Sequence, residues 1–185
     1  MTQRLFAFAG GDAGAWRVEA MRTIAGESLP KVDKIELIDG GGPSVAATWC
    51  LRGITSNERY VTREEKTSLV AKQEGLGRAQ ATCAAMIPLR KNAEWWALTQ
   101  DERRQIFEAQ SAHIQIGMRY LPAVARRLHH CRDLGPDEPF DFITWFEFAP
   151  EATAAFDALL AALRATPEWR YIDREVDIRM VRVAT

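Results

Sequence analysis

The sequence predicts an α+β protein with antiparallel sheets, built from two ferredoxin-like halves, and three observations carry that prediction. Strand-like and helix-like segments alternate in a pattern that occurs twice. Neighbouring strand candidates are joined by short turns as well as by helices, which suits antiparallel rather than parallel pairing. A polar, charged stretch, "TSNERYVTREEKTSLVAKQEGLG", near residues 55 to 77, separates the two rounds. The expected division is a truncated first half over residues 1–70 and a second, ligand-binding half over residues 71–185.

In chain order, "RLFAFAG" reads as a short strand and "AWRVEAMRTIAG" as a helix, with Val18, Met21 and Ile24 near one face. "KIELID" and "SVAATWCLRGI" read as strands joined by the turn "GGGPS". In the second half "RAQATCAAMIPL" is strand-like, and a long helix is expected from Thr99, where Thr99 and Glu102 have capping-box spacing. That helix is expected to run through "SAHIQIGMRYLPAVARRLHH", bending or breaking near Pro122. "FDFITWFEFA" alternates cleanly, with Phe140, Phe142, Thr144, Phe146 and Phe148 on one face and Asp141, Ile143, Trp145 and Glu147 on the other. "EATAAFDALLAALRAT" is a helix stopped by Pro167, and "RYIDREVDIRMVRV" closes the chain as a strand.

Composition narrows the function classes. A chain of 185 residues with 47% hydrophobic content can bury a substantial core. A formal net charge of -1, with both signs interspersed, leaves no footprint for nucleic acid or an anionic membrane surface, so a small-molecule partner is expected. Cys50, Cys83 and Cys131 are odd in number, far apart and without a CxxC pair, which excludes a disulfide framework and a zinc ribbon and suits a cytoplasmic address. The first residues do not read as a secretory signal, and no run approaches 18 apolar residues.

Among chemical motifs, "AGGDAG" sits where a dinucleotide-binding turn would, but its glycines have the wrong offsets, and it reads as a plain strand-to-helix turn. His113 is more informative. On a continuous helix it shares an apolar face with Ile106, Gly117, Tyr120 and Val124, and Gly117 leaves room one turn later for a flat ligand. A core histidine satisfied by its neighbours fits the same pattern. His129 and His130, about 100° apart on a helix, cannot share one metal and read as surface or loop residues. Arg126 would lie roughly 20 Å along one straight helix from His113, so the two could share a site only if the chain breaks between them.

Four segments in order, "KNAEWWALTQDER", "HIQIGMRYLPAVARRLHHCRDL", "DFITWFEF" and "LRATPEWRY", make the region from Lys91 to Tyr171 resemble the chlorite dismutase family of heme proteins, in its short, dimeric branch. The resemblance implies a dimeric α+β barrel, a heme b cofactor, a homodimer, and decomposition of chlorite to chloride and dioxygen. Coproheme decarboxylases and heme peroxidases of the same superfamily share the fold and are the alternative. A non-heme α+β barrel acting as a binding module is a further one.

Residue by residue, the match makes His113 the proximal iron ligand and Glu168 the carboxylate on its other imidazole nitrogen. Arg126 matches the distal arginine, whose permanently charged guanidinium can hold a small oxyanion by two parallel hydrogen bonds. Decarboxylases of the superfamily lack an arginine there. Lys91 is expected to pair with a heme propionate, Trp95 and Trp96 to pack against the porphyrin, and Thr144 and Phe146 to line the distal pocket. His129 stands where family members often have Tyr, and "CRDLGPDEPFDF" is a few residues longer than in the longer members.

Overall fold

A computed structural model describes residues 4–42, 47–57 and 61–184. Eight strands form one closed antiparallel barrel: β1 Leu5–Gly11, β2 Trp16–Ala25, β3 Lys34–Asp39, β4 Trp49–Thr55, β5 Cys83–Lys91, β6 Val124–His130, β7 Phe142–Phe148 and β8 Ile172–Arg182. Their order around the barrel is β1-β3-β2-β8-β5-β7-β6-β4. The strands of each half are therefore contiguous, and in each half the fourth strand lies beside the first, then the third, then the second.

The helices are α1 Arg63–Lys72, α2 Ala93–Ala97, α3 Gln100–Arg104, α4 His113–Met118 and α5 Thr153–Arg164. The α1 helix starts at a capping box in which the Glu65 N–H donates to Thr62 Oγ1 and the Thr62 N–H donates to Glu65. It lies inside the stretch expected to be a polar boundary, of which residues 58–60 fall outside the described residues. So do residues 43–46, which belong to the predicted "GGGPS" turn and the start of the predicted strand "SVAATWCLRGI". Phe156, Leu159, Leu160 and Leu163, spaced i, i+3, i+4 and i+7, form the buried stripe of α5.

Two cores result from the alternation of the strands. Inside the barrel, Phe8, Trp16, Ile35, Met86, Ile143, Trp145 and Ile178 pack together. Outside it, Ile87, Phe146 and Phe148 face Phe156, Leu159 and Leu163 of α5. The β7 strand serves both: Ile143 and Trp145 point inward, Phe146 and Phe148 outward.

Three expectations are corrected. The segment "AWRVEAMRTIAG" is the strand β2, and "AGGDAG" therefore joins two strands. Register shifts against β8 between Val18 and Ala20, and between Thr23 and Ala25, interrupt its alternation. Val18 and Met21 consequently reach the same core three residues apart, a spacing that imitates a helix. The long helix from Thr99 is also broken. Glu102 does accept the Thr99 N–H at 2.7 Å, but α3 passes into a π-helical turn at Gln105–Gln110 and then a left-handed Ala112 (φ 50°). Finally, His129 and His130 are buried on β6, neither surface nor loop.

Candidate functional site

The outer face of β5, β7 and β6, together with α1, α4, α5 and the turn Pro167–Tyr171, encloses a cavity that opens to solvent. Ile87, Leu89, Phe142, Phe146, Val124 and Leu128 make its sheet side, and Leu159, Leu160 and Leu163 of α5 form part of the facing wall. Polar groups are few. His113, Arg126, Lys91, Glu168, Thr144 and Asn57 carry them.

His113 is the first residue of α4, and the turn at Ala112 sets its direction. Its ring stacks on Phe107 with centroids 4.3 Å apart and lies nearly parallel to Trp169 at 6.5 Å. Nδ1 is 2.7 Å from Glu168 Oε2. That contact leaves Nε2 as the nitrogen available to a ligand, and lone-pair donation from Nε2 requires the proton to sit on Nδ1, where Glu168 accepts it.

Glu168 is only 4% exposed. Its second oxygen accepts from Lys91 Nζ at 2.5 Å, and its N–H donates to Ser111 Oγ at 3.0 Å. Burial pushes its carboxyl up, but the charges and hydrogen bonds of His113 and Lys91 outweigh this and hold it down to about 2. Lys91 directs its ammonium to Glu168 and rests 3.6 Å above the Trp95 ring. The physical reason is burial: an ammonium only 3% exposed needs a carboxylate inside the protein.

Arg126 projects from β6 into the same cavity. Pro122 and the turn after α4 carry the chain from helix to strand, so the two residues share a site despite thirteen positions of separation. Among the described residues no side chain or backbone group binds its guanidinium; the Gln73 amide donates to its backbone carbonyl at 2.7 Å. Burial without a counter-ion lowers its pKa below the usual guanidinium value.

Trp95, Thr144 and Phe146 line the cavity. Trp96 does not. Its indole donates to Asp141 Oδ2 at 3.1 Å, stacks on Phe142 and lies under Arg132. Adjacent residues on α2 point about 100° apart, so only one of the pair can face the ligand side.

Sequence reasoning missed Asn57, Phe107 and Trp169. Asn57 Oδ1 accepts the Leu128 N–H at 2.8 Å, which turns its amide nitrogen away from that bond in a residue that lines the cavity. Trp169 is fixed by a hydrogen bond from Nε1 to buried Glu175 at 2.8 Å. An indole adjoining Glu168 in "TPEWRY" was the only local signal.

The residues suit a flat, largely apolar ligand that carries a metal needing one nitrogen donor. A Cβ placed on Gly117, beside His113 in the cavity wall, would meet nothing within 4 Å, so space is open there. The donor set is one imidazole backed by a carboxylate, and the described residues hold no cluster of three His, Cys, Asp or Glu that would bind a bare ion. A metal brought in by its own macrocycle fits that arrangement.

Residues 39–183 match the family model described as chlorite dismutase. A chlorite dismutase of Ideonella dechloratans is 33% identical over 129 residues, covering 67% of this chain; the chain spans 41% of that relative's length. The crystal structure of dimeric chlorite dismutases from Nitrobacter winogradskyi superimposes with a TM-score of 0.89 at 52% identity, covering 96% of this chain and 99% of the other. The chlorite dismutase of Candidatus Nitrospira defluvii, solved with imidazole, shares the fold at 19% identity and a TM-score of 0.65, over 97% of this chain and 92% of that one.

Proposed function

The chain belongs to the chlorite dismutase family, and on that footing we propose that it is a heme b-dependent enzyme that decomposes chlorite to chloride and dioxygen. The observation that carries the proposal is the presence, in one apolar cavity, of a carboxylate-backed His113 and a half-buried guanidinium, Arg126, to which no described residue binds. A cation partly withdrawn from water and unpaired among the described residues is matched to an anionic ligand.

Heme bound in this cavity would supply the redox-active iron at which the Cl–O bonds of chlorite are broken. His113 would hold the iron through Nε2, while Glu168 keeps the proton on Nδ1 and Lys91 keeps Glu168 ionised. Trp95, Thr144 and Phe146 would line the ligand's surroundings and exclude water, which strengthens the attraction between Arg126 and an oxyanion. Arg126 donates hydrogen bonds without surrendering a proton, so it can retain a chlorine-oxygen fragment inside the cavity until both oxygen atoms leave as dioxygen. A coproheme decarboxylase or heme peroxidase of the same superfamily is the alternative activity, and Arg126 speaks against it.

We assign each half a ferredoxin-like organisation, supported by the repeated strand order fourth, first, third, second. The second half, residues 71–185, carries both His113 and Arg126; the first, residues 1–70, is the truncated one. Similarity to a dimeric relative at 52% identity supports a homodimer. The three cysteines are free, which favours a reducing, cytoplasmic address. Among the described residues no helix is long and apolar enough to cross a membrane.

The test is oxygen release after chlorite is added to hemin-reconstituted protein, with an absorbance spectrum taken beforehand. Rapid oxygen evolution with a heme spectrum is the expected result. A heme spectrum without oxygen would move the assignment to the alternative, and a colourless protein that ignores hemin would reduce the relationship to one of fold.

A further inference from the structure

We propose that His129 is a positioning residue for Arg126: by holding Arg127 inside the barrel it keeps Arg126 directed into the cavity. The inference rests on the role proposed above for Arg126.

Residues 126 and 127 are two consecutive arginines on one strand, and a strand sends successive side chains to opposite faces. One must enter the cavity and the other the barrel. Composition alone does not choose between them, and a shift of one residue would exchange them. The structure shows what chooses. Arg127 Nε donates to His129 Nε2 at 3.0 Å, and the Arg127 guanidinium lies 3.7 Å over the Phe6 ring. His129 Nδ1 lies 3.1 Å from the Ile143 carbonyl on β7. That carbonyl can only accept, so Nδ1 carries the proton and Nε2 is the free acceptor that Arg127 needs.

The position of this pair adds weight. The β4–β6 seam, one of the two places where the halves meet, is paired in register among the described residues at Ile54↔His130 and Thr55↔His129. It is extended by the Ser56 N–H to the Leu128 carbonyl and by Asn57 to the Leu128 N–H. His129 thus lies in the seam, and the next residues of the seam, Leu128 and Asn57, line the cavity.

The surroundings of His129 accept only a neutral ring. Phe6 and Phe8 of β1 contact it edge-on, Gly53 of β4 packs against its Cβ, and Arg127 supplies a cation. Asp39 and Glu147 lie near enough to act on Arg127, but among the described residues no carboxylate pairs with His129. Burial first, and Arg127 second, push its imidazole down to about 4, against the opposing pull of the Ile143 carbonyl. Protonation would remove the acceptor for Arg127 and set two cations together.

The experiment compares native protein with His129→Gln, which still offers Arg127 a neutral acceptor, and with His129→Leu, which offers none. Hemin-loaded samples are titrated at pH 7 with nitrite, an oxyanion, and binding is read from the Soret band. Affinity in His129→Gln should lie within about twofold of native, and in His129→Leu it should fall at least about fivefold. Carbon-13 histidine NMR of apo-protein should show His129 neutral down to near pH 4. Native affinity in His129→Leu, or an imidazole titrating near 6.5, overturns the inference. Should the native protein take up no hemin, the functional proposal itself fails, and the NMR result still decides whether His129 is the neutral acceptor.

Discussion

Glu168 holds His113 with one oxygen, at 2.7 Å, and Lys91 with the other, at 2.5 Å. A single buried carboxylate therefore fixes the tautomer of the imidazole and neutralises the ammonium beneath it.

Removing that carboxylate should be costly in two separable ways. Glu168→Ala leaves the Lys91 ammonium buried and unpaired, and should lower the unfolding free energy of apo-protein by roughly 3–5 kcal/mol. Hemin affinity should fall about 10- to 100-fold, because the imidazole loses the partner that orients it. Denaturant titration measures the first and hemin transfer to apomyoglobin the second. The double variant Glu168→Leu with Lys91→Met should recover much of the stability and none of the hemin affinity.

The same group sets an acid limit. Its folded pKa, about 2, lies below the ordinary value of 4.5, so between these pH values the unfolded chain binds the proton more readily. The stability contributed by ionised Glu168 is complete above about pH 4.5 and disappears as pH falls toward 2. Apo-protein should lose stability faster over that interval than the Glu168→Gln variant, as read from denaturation midpoints at successive pH values. Equal slopes would show that Glu168 is not held ionised.

Arg126→Ala should retain hemin and its Soret band, since no described residue binds the guanidinium. Oxygen release should fall by about 10²-fold or more, the typical cost of deleting a preorganised oxyanion donor. Hypochlorite should escape and be caught by a chlorination trap. Full activity without leakage would remove Arg126 from the reaction.

His113→Ala should lose hemin retention, seen as the absence of a Soret band after desalting. A normal band in that variant would place the iron ligand elsewhere.

Gly53→Ala tests the seam. The added methyl carbon would lie 2.6 Å from His129 Cβ, and neither strand can move aside without disturbing the β4–β6 pairing. Overpacking of this kind costs about 1–3 kcal/mol. A lowered thermal midpoint is expected, and an unchanged one would mean the seam yields freely.

The sequence by itself determined the elements whose signal is local. The alternation of Phe142 to Phe148, the helix ahead of Pro167 and the capping spacing of Thr99 and Glu102 all reappear in the structure, because each depends on neighbours within a few residues. Resemblance located His113, Glu168 and Arg126, which the cavity brings together. Only the tertiary structure decided the rest. The bulges in β2 exist because β8 lies beside it, and no local pattern could separate them from a helical period. The breaks at Gln105–Gln110 and Ala112 divide a segment whose periodicity suggested one helix. Lys91 turns to Glu168, 77 residues away, because a buried ammonium takes the carboxylate that folding delivers. Likewise, which of two adjacent arginines enters the cavity is settled inside the barrel, by His129 and Phe6, since alternation along a strand gives two faces and only packing says which is which.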